Sequence, residues 1–348
     1  MFRPSFAATS IPLRAERAEL LFRGPLLGSC ETSHIIASSG FIRNFGLKRK
    51  CVRGAVRDPG DVAKVGHLLK LPGAKERLVL AQANLLQEGS FDRVFEGVEG
   101  VFHTASPVPS TTPPDVQKDL LEPAVKGTVN VLTSASKAKT VKRVVLTSST
   151  SAVTASKGGW SPENPNIIID ESWWSDPEWC RNNKSFYALS KTQAERTAWD
   201  FAKENDLDLV VMNPATVLGT PLQSSINAST QIILGYLNGS KTEISNRMYG
   251  FVHVKNVAMA HVLAFEKPEA EGRYLLVEST IHAKQLAELL RVLYPQCAIP
   301  NKYVDDQPPL AGTYSSDRIR KLGLEFTPAI EAIKECVESC REKGWINC

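Results

Sequence analysis

Several features that mark specialised classes of protein are missing from this sequence of 348 residues. No stretch approaches the roughly 18 consecutive apolar residues of a membrane-spanning helix. There is no long run of lysine and arginine, and the formal net charge is only +4. Nothing therefore favours binding to nucleic acid or to an anionic membrane surface. Without internal repeats or low-complexity tracts, and with 43% hydrophobic and 22% charged residues, the chain is expected to be a soluble globular protein.

Patterns typical of metal sites and disulfide frameworks are also missing. The seven cysteines are scattered, odd in number and free of CxxC pairs, and the six histidines show no ligand spacing. Cys336 and Cys340 lie one helical turn apart, which suits a helix face as well as a ligand pair. His103 and His253 lie in apolar, strand-like segments that indicate core or lining histidines. We predict no metal, seven reduced thiols and a reducing, cytoplasmic location.

Residues 1–33 differ in character from the rest of the chain. They combine four arginines with serine and alanine, as organelle transit peptides do, but they also contain Glu16 and Glu19, and transit peptides are poor in acids. We interpret this segment as an atypical extension, with organelle targeting as the alternative. Residues 34–348 are then expected to form an NAD(P)-binding domain.

From residue 34 onward, short apolar strands alternate with helical segments. The predicted strands are 34–37, 51–56, 78–80, 101–104, 144–146 and 207–212, and the clearest helical patterns cover 62–71, 116–138, 187–205, 283–294 and 328–343. Continuously apolar strands between helices indicate a parallel sheet that is buried on both faces. Pro123, inside one helical pattern, predicts a kink or a late helix start.

This alternation predicts an α/β fold with a doubly wound parallel sheet of the Rossmann type. Ligands of such sheets bind at the carboxyl ends of the strands. The periodicity becomes weaker after about residue 219. We therefore expect residues 219–348 to contribute most of a smaller C-terminal substrate lobe.

Three polar residues form a candidate set for proton transfer. Tyr187 and Lys191, four residues apart at the start of a helix, project from one helical face. Ser149 follows a central strand, so all three side chains are expected in one crevice. In such a set the serine holds a carbonyl oxygen, the tyrosine donates its proton, and the lysine lowers the pKa of the tyrosine. Each residue alone is also compatible with an ordinary capping, turn or surface role.

Arg57 directly follows the second predicted strand, at the position that meets the adenosine ribose in dinucleotide folds. An acid there binds the 2′-hydroxyl of NAD, whereas an arginine accommodates the 2′-phosphate of NADP. Lys64 could supply a second cation. Asp58 is an acid one position later, so NAD stays an alternative, but the pattern favours NADP.

Many motifs occur in order along the chain. They are Val56-Arg-Asp-Pro-Gly60, Leu71-Pro-Gly-Ala-Lys-Glu-Arg-Leu78, Val101-Phe-His-Thr-Ala-Ser-Pro107, Thr147-Ser-Ser149, Asp170-Glu-Ser-Trp-Trp-Ser175, Tyr187-x-x-x-Lys191, Asn213-Pro-Ala215, Phe251-Val-His-Val254 and Gly323-Leu-Glu-Phe-Thr-Pro328. Over about residues 52–348 the chain resembles the plant extended short-chain dehydrogenases (NAD-dependent epimerase/dehydratase superfamily) of secondary metabolism: the cinnamoyl-CoA reductase-like, dihydroflavonol reductase-like and phenylacetaldehyde reductase-like proteins.

The resemblance implies an NADPH-dependent reductase of aldehydes or ketones, with a small aromatic carbonyl as substrate. It implies that Ser149 orients the carbonyl, that Tyr187 is the general acid and that Lys191 also holds the nicotinamide ribose. The cofactor contacts that it implies are Ser39, Gly40, Phe41, Ile42, Arg57, Lys64, Leu85, Thr104, Ala105, Ser106, Ser148, Pro214, Val217 and Ser229.

The sequence departs from the family pattern mainly in the first glycine-rich turn. The family has Thr-Gly-x-x-Gly-Phe-Ile there, and this chain has Ala37 in place of the first glycine and Arg43 in place of a small residue. The segment that follows is about five residues short, which removes more than one turn of the first helix. Since that turn and helix hold the pyrophosphate, a second hypothesis is a catalytically impaired or non-catalytic Rossmann relative.

Two further comparisons limit the substrate class. The segment 184–191 lacks the Asn-Trp-Tyr-Cys-Tyr-Gly-Lys signature of cinnamoyl-CoA reductases, which favours a free aldehyde or ketone over a CoA ester. Thr154 stands where dihydroflavonol reductases have a substrate-binding asparagine. A third hypothesis, a sugar-nucleotide epimerase or dehydratase, shares the Ser-Tyr-Lys set but needs a diphosphate-binding lobe that the sequence does not reveal.

Overall fold

The computed structural model describes residues 33–36, 51–108, 112–160, 166–304 and 312–348. For residues 33–36 only the backbone is considered. All of these residues belong to one compact unit, Thr32–Cys348. The predicted cofactor contacts in the glycine-rich turn lie outside the described residues, namely Ser39, Gly40, Phe41 and Ile42. Most of the predicted N-terminal extension also lies outside them.

A seven-stranded parallel sheet forms the centre of the fold. The strands of the described residues are β1 (Ser33–Ile36), β2 (Cys51–Val56), β3 (Leu78–Gln82), β4 (Val98–His103), β5 (Arg143–Thr147), β6 (Ile168–Ile169), β7 (Leu209–Pro214), β8 (Thr216–Leu218), β9 (Glu243–Ile244), β10 (Met248–His253), β11 (Gly272–Leu276), β12 (Ser279–His282), β13 (Lys302–Tyr303) and β14 (Thr313–Tyr314). In the main sheet the order is β3-β2-β1-β4-β5-β7-β11, and every neighbouring pair is parallel. This order is typical of a doubly wound sheet, so the predicted fold class is confirmed.

Helices connect these strands. The described α-helices are α1 (Val62–Leu69), α2 (Ala74–Arg77), α3 (Glu122–Lys137), α4 (Ser151–Thr154), α5 (Pro177–Asn182), α6 (Phe186–Glu204), α7 (Ala228–Leu237), α8 (Val254–Glu266), α9 (Ala283–Leu293), α10 (Asp317–Lys321) and α11 (Ala329–Glu342). A 3-10 turn covers Arg93–Phe95, and a π-helical turn, Gln117–Leu121, leads into α3. Pro123 lies in the first turn of α3, where a missing N–H is tolerated; the residues before it are helical too, so the predicted kink or late start takes the form of a change from π-helical to α-helical geometry.

Alternate residues of the central strands pack into two separate cores. In β5, Val145 packs with residues of α1 and α8, whereas Val144 and Leu146 pack with residues of α3 and α6. Side chains of a strand point to opposite faces in turn, so this division shows a sheet with a helical layer on each face. Burial on both faces explains why the strands are apolar throughout rather than alternating.

A further apolar core lies in the C-terminal part of the chain. Here β10 pairs in parallel with β8 and antiparallel with β12, and helices α7, α9 and α11 pack together around residues such as Tyr236, Phe251 and Ile333. This C-terminal core falls within the residues predicted to form the substrate lobe. That role stays a prediction.

The prediction of seven reduced thiols is wrong. Cys297 and Cys348 form a disulfide, with Cα atoms 5.0 Å apart and a sequence separation of 51, and Cys51 is disulfide-bonded as well. The chain end after α11 returns to the loop after α9, and this tertiary contact leaves no pattern in the sequence. Cys180, Cys336 and Cys340 are free and buried.

Candidate active site

Two hydrogen bonds from backbone N–H groups fix Ser149 at the carboxyl end of β5. The N–H of Thr150 donates to the carbonyl of Pro214 at 3.0 Å, so contact between the β5 and β7 segments continues beyond the end of β5. The Oγ of Ser149 accepts a hydrogen bond from the N–H of Ser151 at 3.1 Å. Because the backbone N–H fixes the oxygen, the hydroxyl hydrogen of Ser149 remains available for donation.

A tight turn between α5 and α6 places Tyr187 in the first turn of a long helix. The N–H of Ser185 donates to the carbonyl of Cys180 at 2.8 Å, and Lys184 has a left-handed backbone with φ 54°. Both features are typical of a helix end that reverses the chain. Helix α6 begins directly afterwards, and Lys191 follows Tyr187 by one turn on the same face.

The structure brings the side chains of Ser149 and Tyr187 to the wall of the same cavity. Burial raises the pKa of the Tyr187 phenol above its ordinary value, and the nearby hydroxyl of Ser149 offsets only part of this rise. A net lowering of this pKa, as predicted from Lys191, is not seen in the ligand-free structure, because desolvation of the phenolate is the dominant effect. A raised pKa keeps the phenol protonated at neutral pH.

Lys191 is anchored at the end of β5. Its Nζ donates to the main-chain carbonyl of Thr147 at 3.3 Å, and the residue is buried. Burial lowers the pKa of the ammonium to about 8, while attraction by the carboxylate of Glu195 acts in the opposite direction. The ammonium is therefore charged at neutral pH, but it loses its proton at a lower pH than the ammonium of a surface lysine does.

A neutral histidine supports the same strand end. The Nδ1 of His261 lies 2.7 Å from the carbonyl of Val257, and its Nε2 lies 2.6 Å from the Oγ1 of Thr147. Since a carbonyl can only accept, Nδ1 carries the proton and the threonine hydroxyl donates to Nε2. Burial lowers the pKa of His261 to about 4, so this ring adds no charge to the site at neutral pH.

These groups line one cavity of about 690 Å³, which we name the Tyr187 cavity. All three predicted catalytic residues line it. The predicted site residues on its wall are Thr104, Ser106, Ser148, Ser149, Tyr187, Lys191, Pro214, Val217 and Ser229. Residues from five separate segments of the sequence thus meet where the parallel strands end.

A neighbouring cavity of about 720 Å³, named here the Arg57 cavity, lies between the ends of β2, β3 and β4. The predicted cofactor contacts on its wall are Arg57, Lys64, Leu85, Ala105 and Ser106. The two cavities share three lining residues, Ser106, Gln223 and Ser225. They therefore adjoin along the carboxyl edge of the sheet, as the two halves of a dinucleotide groove do.

The charged groups of the Arg57 cavity are solvated. Arg57 is exposed and, among the described residues, has no hydrogen-bond or ion-pair partner. The adjacent acid, Asp58, uses its carboxylate within its own turn, where it accepts the N–H of Gly60 at 2.8 Å. Lys64 forms an ion pair with Asp61 at 2.7 Å.

Two observations test whether this groove fits a dinucleotide. At the end of β4, the Nε2 of His103 and the Oγ1 of Thr104 are buried without a hydrogen-bond partner in the described part of the chain. Buried polar atoms of this kind are normally paired, so a polar ligand fits there. Leu85, a predicted cofactor contact on the wall of the same cavity, is held in place by α3. It packs so closely against this helix that a Cβ on Gly127 would lie 2.5 Å from its Cγ.

Comparison with known proteins identifies the family. A family model for the NAD dependent epimerase/dehydratase family matches residues 45–276. The chain belongs to this family. Cinnamoyl-CoA reductase CAD2 from Medicago truncatula is 46% identical over 320 residues, which cover 90% of this chain and 96% of that protein. The predicted family is confirmed.

Solved structures of reductases resemble this epimerase/dehydratase family member over nearly their whole length. Vestitone reductase from alfalfa (Medicago sativa) aligns with a TM-score of 0.75 at 26% identity and covers 90% of this chain and 99% of its own. The yeast methylglyoxal/isovaleraldehyde reductase Gre2, complexed with NADPH, aligns with a TM-score of 0.77 at 27% identity, covering 90% and 100%.

The described part of this family member has no helix that is both long and apolar enough to cross a membrane. Within the same residues, no group of three or more histidine, cysteine, aspartate or glutamate side chains could hold a metal ion.

Sequence reasoning missed a buried polar network behind the site. Glu195 forms an ion pair with Arg273 at 2.6 Å, and its side chain is fully buried. A signal was present, because Tyr187, Lys191 and Glu195 follow one another at intervals of four residues on one face of α6. The partner of the acid could not be inferred, since Arg273 lies 78 residues away. His103 was predicted only as a core or lining residue.

Proposed function

We propose that this protein is an NADPH-dependent oxidoreductase that reduces a small aromatic aldehyde or ketone to an alcohol, with Tyr187 as general acid. The observation that carries the proposal is the presence of Ser149 and Tyr187 in a cavity whose wall also includes Lys191. Reductases among the relatives and solved structures support carbonyl reduction as the class of reaction.

The adjoining cavities support NADPH as the cofactor. Arg57 and Lys64 would hold the 2′-phosphate, and the unpaired polar atoms of His103 and Thr104 would meet the cofactor at the end of β4. The complex of the yeast reductase with NADPH supports the same choice. When bound, NADPH supplies the hydride that reduces the carbonyl carbon.

Tyr187 is suited to donate the proton that the reduction requires. Reduction of a carbonyl places negative charge on its oxygen, and an alkoxide is a far stronger base than a phenolate. The raised pKa of the Tyr187 phenol keeps the proton in place until that charge develops. The hydroxyl of Ser149, whose oxygen is fixed by the N–H of Ser151, supplies a second hydrogen bond for the carbonyl oxygen.

Lys191 places a positive charge beside this proton transfer. Its ammonium is fixed by the carbonyl of Thr147 and is shielded from water, so its field acts through a low-dielectric region. A preorganised cation there stabilises both the developing oxyanion and the phenolate left on Tyr187. The buried ammonium therefore lowers the barrier more than a solvated one could.

The lining of the Tyr187 cavity supports an uncharged, largely apolar substrate. Among the described residues, Lys191 is the only lining side chain that is charged at neutral pH. The remaining wall includes apolar residues such as Val108, Leu218, Leu222 and Ile226. A carboxylate or phosphate near the reacting carbonyl would lack a counter-ion apart from the catalytic lysine, which favours a free aldehyde or ketone.

A substrate panel with purified protein tests the proposal. We expect NADPH oxidation with phenylacetaldehyde and with cinnamaldehyde, and much slower oxidation with cinnamoyl-CoA, followed by the loss of NADPH absorbance. Turnover of the thioester alone would contradict the assigned substrate class. No turnover of any carbonyl would contradict the reductase assignment.

A binding titration separates this proposal from the non-catalytic alternative. The fluorescence of NADPH is followed as protein is added, and NADH is titrated in parallel. We expect micromolar binding of NADPH and weaker binding of NADH. If neither cofactor binds, the altered glycine-rich turn has abolished the site, and the hypothesis of a non-catalytic Rossmann relative is supported.

A further inference from the structure

The carboxylate of Glu195, on helix α6 one turn beyond Lys191, joins three strands of the main sheet to that helix. Its Oε2 accepts hydrogen bonds from the hydroxyl of Ser148 at 2.6 Å and from the amide of Asn213 at 2.9 Å. Its Oε1 accepts one from the Nε of Arg273 at 2.6 Å. The carboxylate thus contacts the ends of β5 and β7 and the start of β11 from one point on α6.

Arg273 is the ion-pair partner of Glu195. Its guanidinium is itself fixed, because Nη1 donates to the carbonyls of Glu171 and Trp173 at 2.9 and 2.6 Å and the group lies 3.8 Å from the ring centroid of Trp174. Buried carboxylates are normally paired with a cation in this way. The position of the Glu195 carboxylate is therefore fixed by the fold.

The amide of Asn213 connects this carboxylate to the proposed catalytic serine. Its Nδ2 donates one hydrogen bond to Glu195 and another to the main-chain carbonyl of Ser149 at 3.1 Å. Ser149 lines the same cavity as Tyr187, and Tyr187 lies on α6 with Glu195. Glu195 thus connects the Ser149 segment to the helix that carries Tyr187, so displacement of the carboxylate would move Ser149 relative to Tyr187.

Glu195 is also the acid that attracts the ammonium of Lys191. Its carboxylate raises the pKa of this lysine against the lowering effect of burial. The other titratable groups near Lys191 in the described structure are His103 on β4, Tyr187 on α6 and His261 on α8. Burial lowers the pKa of His103 to about 3 and that of His261 to about 4 and raises that of Tyr187, so all three are neutral at neutral pH.

We propose that Glu195 is a positioning residue for proton transfer, which holds the Ser149 segment against the helix of Tyr187 and places a carboxylate one helical turn from Lys191. The kinetic consequences of Glu195 rest on the proposed reductase function. The effect of Glu195 on the ammonium of Lys191 does not, because that effect is present in the protein without cofactor or substrate.

The substitution Glu195→Gln removes the charge and keeps the size of the side chain. We expect kcat to fall roughly 100-fold, as for a small misplacement of catalytic groups, with little change in the KM for the carbonyl. The alkaline limb of the kcat profile should move to lower pH by about one unit, because Lys191 loses the acid that keeps it protonated.

Two matched variants separate charge from position. Glu195→Asp keeps the charge but shortens the side chain, so kcat should fall about tenfold or more while the alkaline limb stays in place. Leu290→Ala, which opens a cavity in the C-terminal core away from both cavities, should lower the melting temperature at least as much as Glu195→Gln does, without moving the limb. Losses of kcat that only follow the melting temperature, with an unmoved limb in every variant, would overturn the proposal.

Competitive acetylation of Lys191 gives a readout that does not depend on turnover. The ligand-free protein is labelled with acetic anhydride across a range of pH, and mass spectrometry of the Lys191 peptide gives the midpoint. A lower midpoint in Glu195→Gln than in the wild type supports the proposal, and equal midpoints would overturn it. If Glu195→Gln does not fold, wild-type kcat in Glu195→Asp would overturn it instead. A wild type that reduces no carbonyl refutes the reductase function but leaves this measurement valid.

Discussion

The Arg57 cavity and the Tyr187 cavity adjoin at the same edge of the sheet, but the cationic side chains of the first are exposed to water and that of the second is buried. The side chain of Lys64 is 73% exposed and forms an ion pair with Asp61, and Arg57 is also exposed. Lys191, by contrast, is 6% exposed and is held by a main-chain carbonyl. The same type of charged group is thus solvated in one cavity and desolvated in the other.

Because of this difference, we expect the cations of the two cavities to contribute to different steps. Exposed cations attract a phosphate through water and are screened by salt, so they contribute modest, salt-dependent affinity. A buried cation interacts strongly with neighbouring charge, and its own pKa changes in consequence. We therefore expect substitutions in the Arg57 cavity to change binding, and substitutions in the Tyr187 cavity to change chemistry.

Removal of the Tyr187 hydroxyl should have the largest effect. Tyr187→Phe should lower kcat by roughly 10² to 10⁴, the usual contribution of a positioned general acid, and leave NADPH affinity unchanged. Steady-state rates and a fluorescence titration measure the two quantities. Tyr294→Phe, which removes a phenolic hydroxyl in the C-terminal core, is the control and should keep wild-type kcat. Normal turnover by Tyr187→Phe would refute the assigned acid.

The pH dependence of kcat should report the buried ammonium. Lys191 has a pKa of about 8, so its charge is complete well below that pH and is lost above it. The pKa of Tyr187 is raised, so the acid stays protonated over the same range. We expect kcat to be level near pH 6 to 7 and to decline above about pH 8, by about tenfold at one unit above the pKa. A decline that begins only near pH 10 would instead indicate titration of a tyrosine or of an unperturbed lysine.

Loss of the exposed arginine should weaken binding and leave chemistry intact. Arg57→Gln should reduce NADPH affinity by about twofold to fivefold, the value of one exposed charge contact, while NADH affinity stays the same. The wild-type preference for NADPH should also decrease as salt is added. Lys75→Gln, which removes an exposed cation of α2 outside both cavities, is the control. Equal losses for both cofactors would show that Arg57 does not contact the 2′-phosphate.

Release of Lys64 from its ion pair should have the smallest effect. Asp61 caps α1 through the N–H of Lys64 and also pairs with its ammonium. Asn is an equally good capping residue, so Asp61→Asn should keep the helix and free the lysine. In the same titration we expect NADPH affinity to rise about twofold. The value of kcat, from steady-state rates, should not change. Unchanged or weaker binding would exclude Lys64 as a phosphate contact.

That the three candidate proton-transfer residues line one cavity could be predicted because their signals are local. Tyr187 and Lys191 share a helical face through their spacing alone, and Ser149 follows an apolar strand whose carboxyl end must meet the others in a parallel sheet. The direction of the Tyr187 pKa could not be predicted. It depends on how much water the surrounding segments exclude, and no residue near Tyr187 in sequence determines that quantity.

The sequence by itself determined the class of fold and the candidate catalytic residues, because strand and helix periodicity and the spacing of side chains are properties of short segments. Only the tertiary structure decided which distant groups meet. It paired Glu195 with Arg273 and Cys297 with Cys348, and it buried Lys191 while leaving Arg57 in water. The physical reason is that burial and long-range contact depend on the packing of the whole chain, whereas periodicity does not.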